Sequence, residues 1–256
     1  MKRLVCTLAV LAFALSTPAF AEEDLDSTVD VLADEVEEKS PWTAQIDFGA
    51  FYTAGNTDTR GVTLGASTKR ETKDTIFFAF LSYLYSENDK IRSANETILG
   101  ARYDWKFDDE TWYIYTGANA ERDEFENLDL RAQFFVGAGI YLEKSEDLTL
   151  RLETAPAATY LDYWDDSGEE WVAEWIFSFF GEWQITEQLV GRQWIRWMPN
   201  LTHRPNYRSN WITELETPIA DNIAAKLSFI WDRNTDPAPG VKKDDIKVLL
   251  SVVWRF

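Results

Sequence analysis

From Trp42 onward, the sequence alternates between apolar and polar residues in segments long enough to cross a lipid bilayer as extended strands. Side chains on a strand point alternately to opposite faces, so this period of two indicates strands with one apolar and one polar face. A tilted strand crosses the membrane in about 9–11 residues. The alternation predicts about twelve strands, at 42–55, 61–71, 75–87, 96–107, 111–125, 130–144, 148–163, 169–185, 189–199, 207–219, 223–234 and 244–256.

The connections between the predicted strands differ in a regular way, because every second one is very short. Short turns at one end and longer loops at the other are typical of outer-membrane β-barrels. Lipid offers the backbone no hydrogen-bond partner, so a spanning sheet must close on itself. The sequence therefore predicts a closed antiparallel β-barrel over 42–256, an up-and-down meander in the outer membrane with both termini periplasmic. The short connections are 73–74, 108–110, 145–147, 186–188 and 220–222, and the longer ones are 87–95, 163–169, 199–207 and 234–244.

The last strand has the clearest pattern. One face carries Ile246, Val248, Leu250, Val252, Trp254 and Phe256, and the other carries Asp245, Lys247, Leu249, Ser251, Val253 and Arg255. The apolar face is expected to point outward into lipid. The series Val252-x-Trp254-x-Phe256 resembles the insertion signal at the end of outer-membrane barrels. We therefore predict that Val252, Trp254 and Phe256 are read by the barrel-insertion machinery.

The N-terminal residues have the pattern of a secretory signal peptide. Lys2-Arg3 precede an apolar run from Leu4 to Leu15, and Ala19-Phe20-Ala21 supplies a small-x-small end. We predict a signal peptide at 1–21 with cleavage after Ala21, the alternative being a retained helical anchor. The only cysteine, Cys6, lies inside this segment. Residues 22–41 are acidic and are predicted to form a mobile periplasmic tail, the alternative being one short amphipathic helix over 28–36.

Composition narrows the range of partners. Twelve tryptophans are spread along the chain, whereas a soluble domain would place most of them in one core. Barrels in lipid place them in girdles at the two interfaces. The formal net charge of −19 excludes nucleic acid as a partner, because phosphates would be repelled. Lipid and lipopolysaccharide are the expected surroundings of a monomeric barrel, and a soluble secreted β-protein with a ligand cavity is the alternative.

Charged residues on the polar faces are predicted to line the barrel interior. They could form a constriction that selects solutes by sign, or a salt-bridge network that only stabilises the barrel. If the barrel conducts, the excess of acid predicts a preference for cations. The basic residues are Arg102, Arg131, Arg151, Arg192, Arg196, Lys226, Lys247 and Arg255, and the acidic ones are Asp104, Glu121, Asp123, Glu143, Glu153, Glu174, Glu182, Glu214, Glu216 and Asp232.

Catalysis is the competing class of function. His203, the only histidine, precedes Ser209 and Asn210, and outer-membrane phospholipase uses a Ser-His-Asn site on a twelve-stranded barrel. The close His-x-Ser spacing of that enzyme is absent, so a surface-loop histidine is the preferred interpretation. Asp165-Asp166 with Glu169-Glu170 could bind a divalent cation, but a solvated acidic loop is preferred. We therefore predict no catalytic residue, cofactor or metal, and a lipid hydrolase remains the alternative.

Three segments resemble the family of salt-induced outer-membrane proteins, a domain family of unknown function. They are Ala54-Gly55-Asn56-Thr57-Asp58-Thr59 leading into 61–65, 120–125 with Gly137-Ala138-Gly139, and Pro237-Ala238-Pro239-Gly240-Val241-Lys242-Lys243-Asp244. Ala155-Pro156-Ala157 departs from the Gly-Pro-Gly that the family often has after the glutamate of the seventh strand. The resemblance implies a barrel in the outer membrane and implies no reaction. A structural barrel that responds to osmotic or salt stress is thus expected alongside a narrow channel.

Overall fold

The computed structural model describes residues 40–53, 59–107, 111–165, 168–238 and 241–256. The predicted signal peptide with its cleavage after Ala21, Cys6, and residues 22–39 of the predicted acidic tail lie outside the described residues. So do the segments 54–58, 108–110, 166–167 and 239–240, which include parts of the family motifs. In the part of the chain that is described, no helix has the length and apolar character needed to cross a membrane.

Twelve antiparallel strands form a closed barrel in the described residues, and this confirms the predicted fold class. Each strand pairs with its neighbours in chain order, and β1 pairs with β12 to close the ring. The strands are β1 (Trp42–Thr53), β2 (Thr59–Glu71), β3 (Thr75–Asn88), β4 (Ile91–Lys106), β5 (Trp112–Asp123), β6 (Leu128–Lys144), β7 (Leu148–Tyr163), β8 (Glu169–Thr186), β9 (Leu189–Pro199), β10 (Tyr207–Ala220), β11 (Ile223–Asn234) and β12 (Asp244–Arg255).

The seam between β1 and β12 runs from Gln45 opposite Arg255 to Gly49 opposite Ser251. Two backbone hydrogen bonds extend it at the terminal end: the amide of Phe256 donates to the carbonyl of Ala44 at 2.9 Å, and the amide of Ala44 donates back at 3.3 Å. Closure removes the unpaired edges that an open sheet would present. The last residue is therefore part of the closure itself.

The predicted long loop at 87–95 is wrong. Asn88 and Ile91 are paired, and the chain reverses through Asp89 and Lys90, whose φ values are 50° and 65°. Two consecutive residues at positive φ are typical of the tight hairpin turns that match strand twist. The first residues of β4 are mostly polar, so the alternation of apolar and polar residues does not reveal this part of the strand. A strand segment that lies outside the lipid needs no apolar outer face. The loops opposite the chain termini are consequently less uniform in length than predicted.

The outer surface of the barrel is apolar. Phe48, Val136 and Leu250 expose 57%, 62% and 64% of their area, as expected of side chains that meet lipid instead of a protein core. Exposed tryptophans lie toward both ends of the strands, where the amphipathic indole ring suits the membrane interfaces. Trp42, Trp105, Trp112 and Trp254 lie at the end that carries the termini, and Trp164, Trp171, Trp197 and Trp211 lie toward the other end.

One wall of the interior, formed by β5 to β9, is packed with apolar and aromatic side chains. Tyr113 and Tyr115 on β5 are almost fully buried there. The Tyr113 ring covers Gly139 on β6, where an added Cβ would lie 2.2 Å from Cζ of that ring. Glycine is therefore required for the ring to lie flat against the wall. The remaining members of this cluster are Phe135, Ala155, Ala157, Ile176 and Met198.

Candidate functional site: the charged interior of the barrel

Ion pairs between strands that are not neighbours in the sheet identify the inward-facing charges. Arg102 on β4 contacts Glu153 on β7 at 2.7 and 2.9 Å. Lys247 on β12 lies 2.6 Å from Glu96 on β4. Neither pair can form through the wall, because other strands lie between the partners. Both pairs therefore cross the interior of the barrel.

The central cluster consists of Arg102, Asp104, Tyr113, Tyr115 and Glu153. Arg102 donates to both oxygens of Glu153 and, through Nε at 2.5 Å, to Asp104. The Tyr113 hydroxyl donates to Glu153 Oε1 at 2.7 Å. The Arg102 guanidinium also lies 4.0 Å above the centre of the Tyr115 ring. A fork-shaped guanidinium is suited to hold two carboxylates and an aromatic face together.

Two further arginines, Arg151 and Arg196, have no carboxylate within hydrogen-bond distance among the described residues. The Arg151 guanidinium lies 4.4 Å from the centre of the Phe180 ring, a cation–π contact. Its Nε is 3.6 Å from Glu153 Oε1, beyond hydrogen-bond distance, and this buried nitrogen has no hydrogen-bond partner in the described structure. Among the described residues, no carboxylate lies within ion-pair distance of Arg196, although the charges of Glu153, Arg102 and Arg131 act on it.

A second cluster lies toward the end opposite the termini. Glu174 accepts hydrogen bonds from Arg131 at 2.8 Å, from Gln133 at 2.7 Å and from the hydroxyl of Thr159. All four side chains are buried, and Oε2 of Glu174 accepts all three hydrogen bonds, so the charge of this carboxylate is paired with Arg131 within the wall. The cluster fixes β6, β7 and β8 to one another.

Arg208 on β10 reaches across the interior to the turn between β5 and β6. It contacts Glu121 at 3.2 Å and Glu126, which lies in that turn. Burial raises the pKa of Glu126 above its ordinary value, opposed by the charge of Arg208 and supported by those of Glu121 and Asp123. The Asp123 carboxylate accepts the amides of Phe125 and Glu126 and so caps the same turn.

On the wall that contains the seam, Lys226 of β11 lies 2.6 Å from Asp47 of β1 and 3.7 Å from Glu214 of β10. At the terminal end, Arg192 bridges Glu182 at 2.5 Å and Glu216 at 2.9 Å. Arg255 also pairs with Glu216. Lys226–Asp47 and Arg255–Glu216 each skip one strand, and the other pairs join neighbouring strands.

The structure places the predicted interior charges as follows. Arg102, Arg131, Arg151, Arg192, Arg196, Glu153, Glu174, Glu214 and Glu216 lie at inward-facing positions, as do Lys226, Lys247, Arg255, Asp104, Glu121, Asp123, Glu182 and Asp232. Glu143 does not, because a bulge in β6 places it opposite the outward-facing Leu150. The prediction for Glu143 is wrong for that reason. Val252, Trp254 and Phe256 are exposed on the outer surface.

Sequence reasoning missed Arg208, Glu96, Asp47 and the two buried tyrosines of β5. Glu96 has the same parity as Arg102, so the alternation alone was sufficient to find it. Tyr113 and Tyr115 carried no such signal, because aromatic residues occur on both faces of barrel strands. Their interior position depends on the glycines of β6 that make room for the rings.

The residues of the alternative catalytic site do not assemble. His203 Nε2 lies 2.8 Å from Glu170, whereas Asn210 donates to Asp232 at 2.5 Å inside the barrel. Ser209 and Asn210 are adjacent on β10 and therefore face opposite sides of the wall. Within the described ranges, no group of His, Asp and Glu side chains is arranged to hold a metal ion. Asp166 of the acidic loop lies outside those ranges.

Comparison with known families gives a match that covers most of the barrel. The model described as "Protein of unknown function, DUF481" matches residues 46–256. The chain belongs to the DUF481 family. This agrees with the resemblance to an outer-membrane family of unknown function and does not bear on salt induction. No curated protein matches this DUF481 chain.

Solved structures similar to this DUF481 protein include a porin and an outer-membrane channel. The NanC porin has a TM-score of 0.53 at 9% identity, over 82% of this chain and 98% of that one. An outer-membrane channel from Pseudomonas putida F1 has a TM-score of 0.53 at 10% identity, over 89% of this chain and 100% of that one. At such low identity the likeness concerns the fold. This DUF481 chain therefore has the architecture of porins and channels of the outer membrane.

Proposed function

We propose that this DUF481 protein is a non-enzymatic barrel of the outer membrane whose interior forms a narrow channel for small solutes or ions. The apolar outer surface between two groups of exposed tryptophans supports the location in a membrane. A soluble protein would have to hide that surface, so it weighs against a secreted soluble form. A barrel of about twelve strands is narrower than the open sixteen-stranded porins.

The observation that carries the channel proposal is the partial exposure of the interior charges. Arg102 and Lys247 keep 18% and 16% of their side-chain area accessible although they lie inside the ring. Interior charges that water reaches are typical of a hydrated lumen, whereas a filled barrel core would bury them. The ion pairs then hold the walls in place and leave a wet passage beside them.

Planar-bilayer recording of the refolded protein tests this function. We expect discrete conductance steps in potassium chloride, smaller than those of sixteen-stranded porins. Refolded protein in which Tyr115 is replaced by alanine widens the lumen at the central cluster and is expected to conduct more. A properly folded barrel that gives no steps at any voltage would overturn the channel and leave a structural barrel.

The role in osmotic or salt stress rests on the family resemblance. If the channel takes part in the response to salt stress, cells that lack the protein are expected to recover more slowly after a rise in salt concentration. Expression of the wild-type chain should restore the recovery. Equal recovery with and without the protein would remove this part of the proposal and leave the channel untouched.

A further inference from the structure

The protein neutralises the arginine pair, Arg151 and Arg196, only in part. Arg151 has one carboxylate contact, at 3.6 Å, and Arg196 has none within ion-pair distance among the described residues. Glu153 lies 3.6 Å from Arg151, and its charge also acts on Arg196. Its oxygens already accept two hydrogen bonds from Arg102 and one from Tyr113. Asp104 is likewise bound by Arg102 through two nitrogens. Three arginines therefore face two carboxylates at this level of the barrel. The surplus is local and positive although the whole chain is strongly acidic.

The register places the arginine pair on one wall. Glu153, Ser178 and Arg196 are consecutive partners across β7, β8 and β9. The next inward row consists of Arg151, Phe180 and Trp194. Neighbouring strands are about 4.8 Å apart, so each row spans about 10 Å. Ser178, between Glu153 and Arg196, has the smallest side chain of these two rows.

Aromatic faces complete the surroundings of the arginine pair. The Phe180 and Trp194 rings lie 4.9 Å apart, and the Arg151 guanidinium rests on Phe180. The cation–π contact holds the guanidinium against the ring by electrostatic attraction and gives none of its N–H donors a carboxylate partner. The in-plane donors remain available. Both rings are only partly buried, so an apolar group can pack on them from the lumen.

We propose that Arg151 and Arg196 form a binding site for small organic carboxylates within the lumen, with the carbon skeleton of the ligand against Phe180 and Trp194. A carboxylate presents two coplanar oxygens to a guanidinium group. These oxygens can accept hydrogen bonds from the N–H donors that Glu153 does not bind. The site rests on the proposed channel for its access to solutes. The proposed site also predicts that the lumen favours anions at the level of Arg151 and Arg196. This is opposite to the cation preference expected from the net charge.

Isothermal titration with benzoate tests the site directly, using the refolded full barrel in detergent micelles. We expect saturable binding of benzoate and none of benzamide, its neutral isostere. The double variant Arg151→Gln with Arg196→Gln is expected to weaken benzoate binding about tenfold or more, because it removes charge-assisted hydrogen bonds. Arg122→Gln is the matched control for charge, since Arg122 lies on the outer surface of β5 with Asp129 at 3.0 Å.

Several outcomes decide the inference. Absence of benzoate binding to the wild-type barrel overturns it, and so does equal binding of benzoate by the double variant and the wild type. Arg151→Lys retains the charge and should retain part of the affinity, which separates a binding role from a merely structural one. Circular dichroism of each variant confirms that the barrel has folded.

Bilayer recording separates this site from the channel on which it rests. Under a potassium chloride gradient, the reversal potential of the double variant is expected to shift toward cation selectivity relative to both the wild type and Arg122→Gln. If the double variant conducts with an unchanged reversal potential and binds benzoate as the wild type does, the proposed site is refuted and the channel stands. If the wild-type protein binds benzoate but never conducts, the proposed site stands and the channel is refuted.

Discussion

Nζ of Lys247 on β12 lies 2.6 Å from Oε2 of Glu96 on β4, across the interior and on the far side of three intervening strands. Asp232 and Asp245 lie 3.8 and 3.3 Å from the same ammonium group. One lysine therefore holds three carboxylates from three strands. Without it they would repel one another inside the ring.

Replacement of Lys247 by methionine is expected to reduce the free energy of unfolding by about 3 kcal/mol, since it leaves the largely buried Glu96 carboxylate without a counter-ion. Urea titration of the refolded barrel in lipid vesicles measures it. The double variant with Glu96→Leu should recover part of the loss, because the uncompensated charge is gone. Strictly additive losses in the double variant would show that the two residues are not coupled.

Gly139→Ala is expected to destabilise the barrel by about 1–3 kcal/mol, because the new methyl group would displace the Tyr113 ring. Displacement of that ring also breaks the hydrogen bond that Glu153 accepts from the Tyr113 hydroxyl. Gly181→Ala is the control, since its closest contact would be a flexible Leu150 methyl at 3.2 Å. Unfolding midpoints in urea compare the two, and equal midpoints would contradict the close packing described.

Phe256→Ala is expected to lower the amount of barrel in the outer membrane several-fold while keeping the backbone bonds between Phe256 and Ala44. The expectation follows from the likeness of Val252, Trp254 and Phe256 to an insertion signal. Phe229→Ala removes another exposed outward phenylalanine, away from the C-terminus, and serves as the control. Quantitative blotting of outer-membrane fractions measures both. A similar loss in both variants would indicate general destabilisation instead of a signal.

Single-cysteine labelling is expected to establish which end of the barrel faces outward. The predicted mature chain contains no cysteine, because Cys6 lies in the predicted signal peptide. Arg204→Cys, in the loop after β9, should react with a membrane-impermeant maleimide on intact cells. Glu187→Cys, in the turn after β8, should react only after the outer membrane is opened. The reverse pattern would place the termini outside the cell.

The raised pKa of Glu126 predicts a pH dependence of stability. The folded chain holds this proton more tightly than the unfolded chain, so the contribution is favourable at low pH. It is lost as pH rises from the ordinary glutamate range through the folded pKa. Glu126→Gln should remove that decline, and the difference in unfolding free energy between wild type and variant across pH 4–8 reports it. A difference that does not change with pH would be inconsistent with the shift.

Alternation along the strands was sufficient to predict the fold and the facing of most interior charges. In β12 the parity that puts Trp254 outward also puts Lys247 inward. The partners could not be predicted, because Arg102 and Glu153 meet through the stagger and closure of the whole ring. The start of β4 was missed because Arg92 and Ser93 lie above the expected lipid. The bulge that turns Glu143 outward has no signature in the sequence.

The seam has a consequence for how the barrel fails. Strand β1 pairs with β2 from Trp42 to Thr53, whereas its bonds to the C-terminal strand run only from Ala44 to Gly49. The shorter pairing, between β1 and β12, is expected to separate first on heating. Two free strand edges would then be presented at once, and such edges pair readily with other chains. The temperature at which this join opens should therefore also be the temperature at which the protein begins to aggregate.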